Sequence, residues 1–274
     1  MKHERVLLGD AVLDTFVPSP YEGTEDPRKP FVIICPGGGY TFWAPREAEC
    51  VATKMNAFGF NSAVLYYSLV PAKHPKQLCE LANAVKYVRE NAGELNTYSD
   101  RIVVLGFSAG GHLAGLLGTL WSEKWLDSES GTTAVERMPN AFAMAYTPVS
   151  SEPDLESRFA SFRNLLGKDA TKEMKDSISL EKLVKNDTPP AFIWATWNDS
   201  RGKPANSLLF ANAMFEHGRD CEIHIYRNGE HGLGLATKDY TNAKHPRENL
   251  RVANWVNDFR TWVEEIFDIR EESR

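Results

Sequence analysis

Five consecutive residues offer the clearest chemistry in this sequence: Gly106-Phe107-Ser108-Ala109-Gly110, a G-x-S-x-G motif. It follows the apolar run RIVVL and opens the stretch GGHLAGLLG. That is the strand–turn–helix order a nucleophile elbow requires. On so tight a turn, neighbouring chain passes close to both sides of the serine, and glycines leave room where side chains would collide. The turn exposes the hydroxyl and aims the helix N-terminus at developing negative charge. The chemistry expected of Ser108 is nucleophilic attack on a carbonyl.

A serine hydroxyl needs a base to take its proton. Of seven histidines, His3 is terminal, His112 sits in the helix after the elbow, His217 ends a helix and His224 lies inside a strand. His74 and His245 each precede a proline. His231 follows the last apolar run, EIHIYRN, in the glycine-rich segment Asn228-Gly229-Glu230-His231-Gly232, which can carry an imidazole over the sheet edge to Ser108. The third member should be a carboxylate after the preceding strand, in the chain order serine–acid–histidine. Asp199 stands there; its competing role is to cap the turn that follows. Asp187 precedes the strand, at the wrong end, and Glu230 adjoins the histidine too closely for the orienting bond.

A tetrahedral intermediate needs fixed N–H donors for its oxygen. Cys35-Pro36-Gly37-Gly38-Gly39-Tyr40 follows the run FVIIC, and its glycines let backbone amides turn inward; the Ala109 amide, next to the nucleophile, is the other expected donor. The competing reading is a phosphate-binding loop, but G-x-x-x-x-G-K-[ST] is absent and no G-x-G-x-x-G follows this strand. Tyr40, Trp43, Phe107 and Trp197 adjoin these segments and are candidate pocket walls, core packing being the alternative.

The elements that must position these groups alternate. Strand-like runs span Phe31 to Cys35, Ser62 to Tyr67, Ile102 to Gly106, Ala141 to Tyr146, Ala191 to Thr196 and Glu222 to Tyr226. Between and after them lie helical patterns at Glu47 to Phe58, Lys76 to Asn91, Ala109 to Trp121, Pro204 to His217 and Glu248 to Phe267. Such alternation predicts an α/β fold: a mostly parallel central sheet with helices on both faces. The strands read as continuous apolar runs, as expected when both faces are covered. Val6 to Val17 adds antiparallel edge strands. The polar stretch 151–186 breaks the rhythm and reads as short helices forming a lid over the site, or else as a surface excursion. The whole chain, 1–274, reads as one domain.

Composition narrows the function. A net charge of -6 argues against nucleic acid or anionic membrane as partner. No run approaches the ~18 apolar residues of a membrane span. The N-terminal segment has no sustained apolar core of a secretory signal, so a cytoplasmic location is expected. The four cysteines form no C-x-x-C pair, and no H-E-x-x-H is present, so no metal is expected.

The segments CPGGGY, PREAE, HPKQLCELANAVKYVREN, DRIVVLGFSAGGHLAGLLG, SLEKLV, TPPAFIWATWNDS, NSLLFANAM and GEHGLGLA together resemble the small acetyl-esterase branch of the α/β-hydrolase fold. These proteins are often described as acetylxylan esterases and are related to the feruloyl-esterase-like proteins. The resemblance implies a triad of Ser108, Asp199 and His231 and oxyanion donors at Gly38, Gly39 and Ala109. It implies hydrolysis of acetyl esters on small carbohydrates without cofactor or metal. One departure concerns the acid loop: relatives often read H-T and then V-P around the acid, where this chain has Ala195-Thr196, Arg201-Gly202 and Lys203-Pro204. The expected partner is thus a small ester substrate; a homo-oligomer is compatible with the sequence. Rivals are an arylformamidase- or peptidase-type amide hydrolase on the same fold and, in another class, a non-catalytic binding protein.

Overall fold

The computed structural model describes residues 1–152, 154–155, 160–238 and 248–269; His245 lies outside them. Its centre is an eight-stranded sheet in the order β1-β2-β4-β3-β5-β6-β7-β8. The strands are β1 (Lys2–Leu8), β2 (Ala11–Val17), β3 (Lys29–Cys35), β4 (Asn61–Tyr66), β5 (Thr97–Phe107), β6 (Ala141–Ala145), β7 (Ala191–Thr196) and β8 (Cys221–Tyr226). From β4 through β8 every pairing is parallel, while β2 pairs antiparallel with both β1 and β4. The β1–β2 hairpin turns on Gly9 and Asp10, with Leu8 opposite Ala11 and Gly9 at φ 67°. A positive φ at the first central position is what a two-residue hairpin of this hand needs.

The helices are α1 (Glu49–Ala57), α2 (Lys76–Glu90), α3 (Ala109–Leu120), α4 (Trp125–Ser130), α5 (Ala134–Arg137), α6 (Ser161–Leu166), α7 (Lys172–Asp176), α8 (Ala205–Glu216) and α9 (Trp255–Ile266). Strand side chains alternate between two cores. Phe31, Ile33 and Cys35 of β3 join Leu81 and Val85 of α2, Leu113 and Leu117 of α3 and Phe210 of α8. Val32 and Ile34 face the other way, with Met55 of α1 and Trp255, Phe259 and Val263 of α9. This two-sided burial is why the parallel strands read as unbroken apolar runs. Helix α3 is buried along its whole length, so it is apolar all round rather than striped.

Some elements differ from the sequence expectation. The last helix begins at Trp255, after a 3-10 turn at Val252–Asn254, not at Glu248. The Asn249 side chain accepts from the Val252 N–H and so ends the irregular approach. Helices α4 and α5 were not anticipated; α5 opens on a capping box between Thr133 and Glu136, a signal present in the sequence. Among the described residues no helix is long and apolar enough to cross a membrane.

All five parallel crossovers leave their carboxyl ends on one edge, where ligands bind in such sheets. Helix α9 covers one face of this sheet. Phe259 is fully buried among the rings of Phe192, Trp255 and Trp262. Phe259→Ala should therefore lower stability by about 3–5 kcal/mol, read as a shifted midpoint in urea unfolding.

Candidate active site

Ser108 sits between β5 and α3 with φ 50° and ψ -116°, a conformation L-residues avoid and pay for with about 1–3 kcal/mol. Its N–H is tied to the Ala145 carbonyl of β6 and its own carbonyl to the His112 N–H, at 2.9 and 3.0 Å. The glycine after it makes the turn feasible: a Cβ on Gly110 would lie 2.0 Å from the Cys35 carbonyl oxygen. The start of α3 is thereby pressed against the end of β3.

The side chains form a continuous relay. The Ser108 hydroxyl donates to His231 Nε2 at 2.8 Å, and His231 Nδ1–H donates to Asp199 Oδ2 at 2.8 Å. Asp199 is 3% exposed, and its other oxygen accepts the N–H groups of Arg201 and Gly202 at 2.8 and 2.9 Å. Burial pushes this carboxyl's pKa up, but the bond and charge of His231 and the two backbone donors outweigh it and leave it below the ordinary value. The carboxylate can then hold the imidazole in one tautomer. The departure at Arg201-Gly202 thus falls on the acid's own donors. Gly202 also lies against the acid–base pair, where a Cβ would come within 2.9 Å of His231 Nδ1.

The loop after β3 presents its amides by engaging its carbonyls elsewhere. Gly37 O accepts from Ala44, Gly38 O from Thr41, Gly39 O from the Asn164 side chain and Tyr40 O from Val70. In a trans peptide the following N–H points opposite to the carbonyl, so the Gly38 and Gly39 amides face the other way. Gly38, at φ 131°, has no alternative residue: a Cβ there would stand 1.9 Å from the Phe42 carbonyl oxygen. The third donor expected from the sequence, Ala109, is the first residue of α3, where no intrahelical carbonyl is available to its N–H.

Gly38, Gly39, Ser108, His231 and Gly232 line a small cavity of about 30 Å³ together with Phe42, Ala44, Arg46 and Glu47. Larger surface grooves, of about 510 and 550 Å³, are lined by residues remote in sequence from the relay. None of the described cavity walls comes from the 151–186 stretch. Its helix α6 packs beside the loop instead: Asn164 holds Gly39, and Leu165 O accepts from the His74 N–H.

The four aromatic wall candidates need correction. Tyr40, at φ 62°, turns beneath its loop and is fully buried, its hydroxyl donating to His112 Nδ1 at 2.9 Å. Phe107 points into the α9-side core against Tyr146 and Trp255, because the strand's alternation puts its side chain on the face away from α3. Trp43 spends its indole N–H on the Tyr67 carbonyl and stands edge-on to Tyr66, outside the cavity. Trp197 is 66% exposed and likewise outside it. The wall aromatic is Phe42, which sequence reasoning passed over, as it did Arg46 and Glu47. The available signal was their place in the segment directly after the glycine loop.

Such a relay on a strand–turn–helix elbow, carried by this sheet order, defines an α/β hydrolase. The chain belongs to the BD-FAE family, whose model matches residues 13–214. It is 32% identical over 232 residues to the endo-1,4-beta-xylanase B of Butyrivibrio fibrisolvens, covering 82% of this chain and 36% of that one. It is 29% identical over 235 residues to the acetylxylan esterase of Xylanibacter ruminicola, covering 84% and 45%. The chain thus spans less than half the length of these curated relatives. A crystal structure of an acetyl ester-xyloside bifunctional hydrolase from Caldicellulosiruptor lactoaceticus superposes with a TM-score of 0.79 at 35% identity, covering 93% of this chain and 88% of that one.

Two predictions arise here. Ser108→Gly and Ser108→Ala both delete the hydroxyl, but only glycine relieves the positive φ. Ser108→Gly should therefore unfold at the higher urea midpoint, by about 1 kcal/mol; equal midpoints would mean the turn stores no strain. The second concerns His112, buried with Nε2 donating to the Ile178 carbonyl at 2.8 Å. Burial lowers its pKa from 6.5 to about 4 against the opposing pull of that bond. Between those values the unfolded chain takes a proton that the folded one refuses. Its contribution is therefore present above pH 6.5 and is lost as pH falls toward 4. Urea midpoints measured across that range should fall, and His112→Gln, whose amide also offers a donor and an acceptor, should make the slope shallower, the remainder coming in part from His74, whose pKa burial also lowers to about 4.

Proposed function

We propose that the protein is a serine carboxylesterase that removes acetyl groups from acetylated xylo-oligosaccharides or other small carbohydrates. The observation that carries this reading is the unbroken Ser108–His231–Asp199 relay opening on a cavity of about 30 Å³. Ser108 Oγ attacks the ester carbonyl as His231 Nε2 accepts its proton. Asp199 holds the imidazolium that results. The negative oxygen is received by the amides of Gly38, Gly39 and Ala109, which need no reorganisation as the charge appears. His231 returns the proton to the departing alcohol, and water, activated by the same imidazole, then hydrolyses the acyl-enzyme.

The substrate class rests on two supports. A cavity this small suits an acyl group of two carbons better than a long chain. The named activities of the relatives, acetylxylan esterase and acetyl ester-xyloside hydrolase, are of the same class. Phe42, 51% exposed at the cavity wall, offers a ring face against which a sugar can stack.

The test is initial-rate hydrolysis by wild type and Ser108→Ala on one panel: 4-nitrophenyl acetate, butyrate and octanoate, acetylated xylo-oligosaccharides, N-formylkynurenine and a prolyl-peptide amide. Acetylated sugars should be turned over, acetate should exceed butyrate and octanoate, and Ser108→Ala should lose about 10⁴-fold or more in kcat. Preference for the formyl amide or the prolyl amide would replace the ester reading. Near-normal turnover by Ser108→Ala would remove the nucleophile assignment.

A further inference from the structure

Three segments must keep a fixed spacing for the relay and the oxyanion amides to meet one carbonyl: the loop after β3, the end of β6 and the loop carrying His231. One short turn, Pro45–Glu47, touches all three. Glu47 is 2% exposed. Its Oε2 accepts the Gly37 N–H at 2.9 Å, directly upstream of the oxyanion amides. Its Oε1 accepts the Tyr146 hydroxyl at 2.8 Å, just past the end of β6. The Tyr146 oxygen in turn accepts the Gly234 N–H at 3.0 Å, three residues beyond His231, and its ring stands edge-on to the His231 ring, centroids 5.0 Å apart. Beside Glu47, the Arg46 Nε donates to the Gly232 carbonyl, the residue after the base.

We propose that Glu47, with Arg46, is a positioning residue that sets the distance between the oxyanion loop and the His231 loop. This rests on the reading of Ser108 as nucleophile. The polarity of the network explains why an acid is needed. Tyr146 has one proton and already accepts from Gly234, so it donates to Glu47, and the carboxylate accepts twice. Glutamine has nearly the same shape but a single acceptor oxygen. Its NH2 would face either the Gly37 N–H, donor against donor, or the Tyr146 oxygen, whose own proton would then be left without its acceptor. Relief requires one of the two loops to move, and reacting groups displaced by about 1 Å can lose about 10²-fold in rate.

The experiment compares wild type, Glu47→Gln, Tyr146→Phe, their double variant and Arg46→Met with 4-nitrophenyl acetate. It also measures binding of a small trifluoromethyl ketone, which forms the tetrahedral oxyanion on Ser108, and thermal unfolding of each protein. Glu47→Gln should lower kcat about 10²-fold with KM within about threefold. Ketone affinity should fall by the same factor as kcat/KM. Tyr146→Phe should lower kcat in the same sense, and the double variant should lose little beyond Glu47→Gln, because both act through one chain of bonds. Arg46→Met keeps the stem but not the bond to Gly232 and should also slow kcat rather than raise KM. A Glu47→Gln protein that folds and retains kcat and ketone affinity within about threefold would overturn the proposal, as would losses that multiply in the double variant. Should Glu47→Gln fail to fold, Tyr146→Phe, which preserves the ring packing, decides alone on the same criteria. Aryl-ester turnover needs no sugar recognition, so these outcomes bear on the positioning and leave the substrate class to the panel above.

Discussion

A serine held at φ 50° cannot rest there by itself; it is kept there by what presses on it. The Ser108 N–H is bound to β6, its carbonyl to the first turn of α3, and Gly110 lets the end of β3 lie on that turn. Each contact belongs to a different element, so relaxing the serine would unseat all of them together. The same compression fixes the loop after β3 relative to the hydroxyl, because the chain that packs on Gly110 at Cys35 and Pro36 continues directly into Gly38 and Gly39. The Ser108 hydroxyl and the Gly38 and Gly39 amides are therefore placed by a single steric constraint.

Around that point polar groups are buried and paired. Asp199, His112 and Glu47 are each shielded from water and each bonded on more than one side. In surroundings of low dielectric such bonds are strong and a missing partner is costly, which favours one arrangement over nearby alternatives. His112 illustrates the division of labour. It lies in the helix that follows Ser108, yet its ring bonds Tyr40 of the glycine loop on one side and Ile178 of the 151–186 stretch on the other.

Much of this was legible in the sequence, for identifiable reasons. Burial on both faces leaves strands as apolar runs, so the parallel sheet could be read from FVIIC, RIVVL and FIWAT. Ser108, Asp199 and His231 each follow a strand, and chain order, the glycine-rich loop around His231 and the family resemblance together paired them. What sequence could not supply was direction. Tyr40 and Phe107 adjoin the key residues in the chain but point away from the cavity, one because its backbone turns back and the other because strand side chains alternate. Phe42 and Glu47 come from the next few residues, where no periodicity applies. The edges of elements were equally local matters: β5 extends back to Thr97 because it pairs across an irregularity with Lys29, and α9 waits for Asn249.

The central claim is that Ser108 becomes covalently acylated. Mixing the protein with 4-nitrophenyl acetate, quenching in acid within the first turnovers and mapping the digested peptides by mass spectrometry tests it directly. The structure predicts one added acetyl group on the peptide containing Ser108, formed in step with a burst of nitrophenolate and absent in Ser108→Ala. Steady turnover with no adduct on that peptide, or with the acetyl group on another residue, would contradict it.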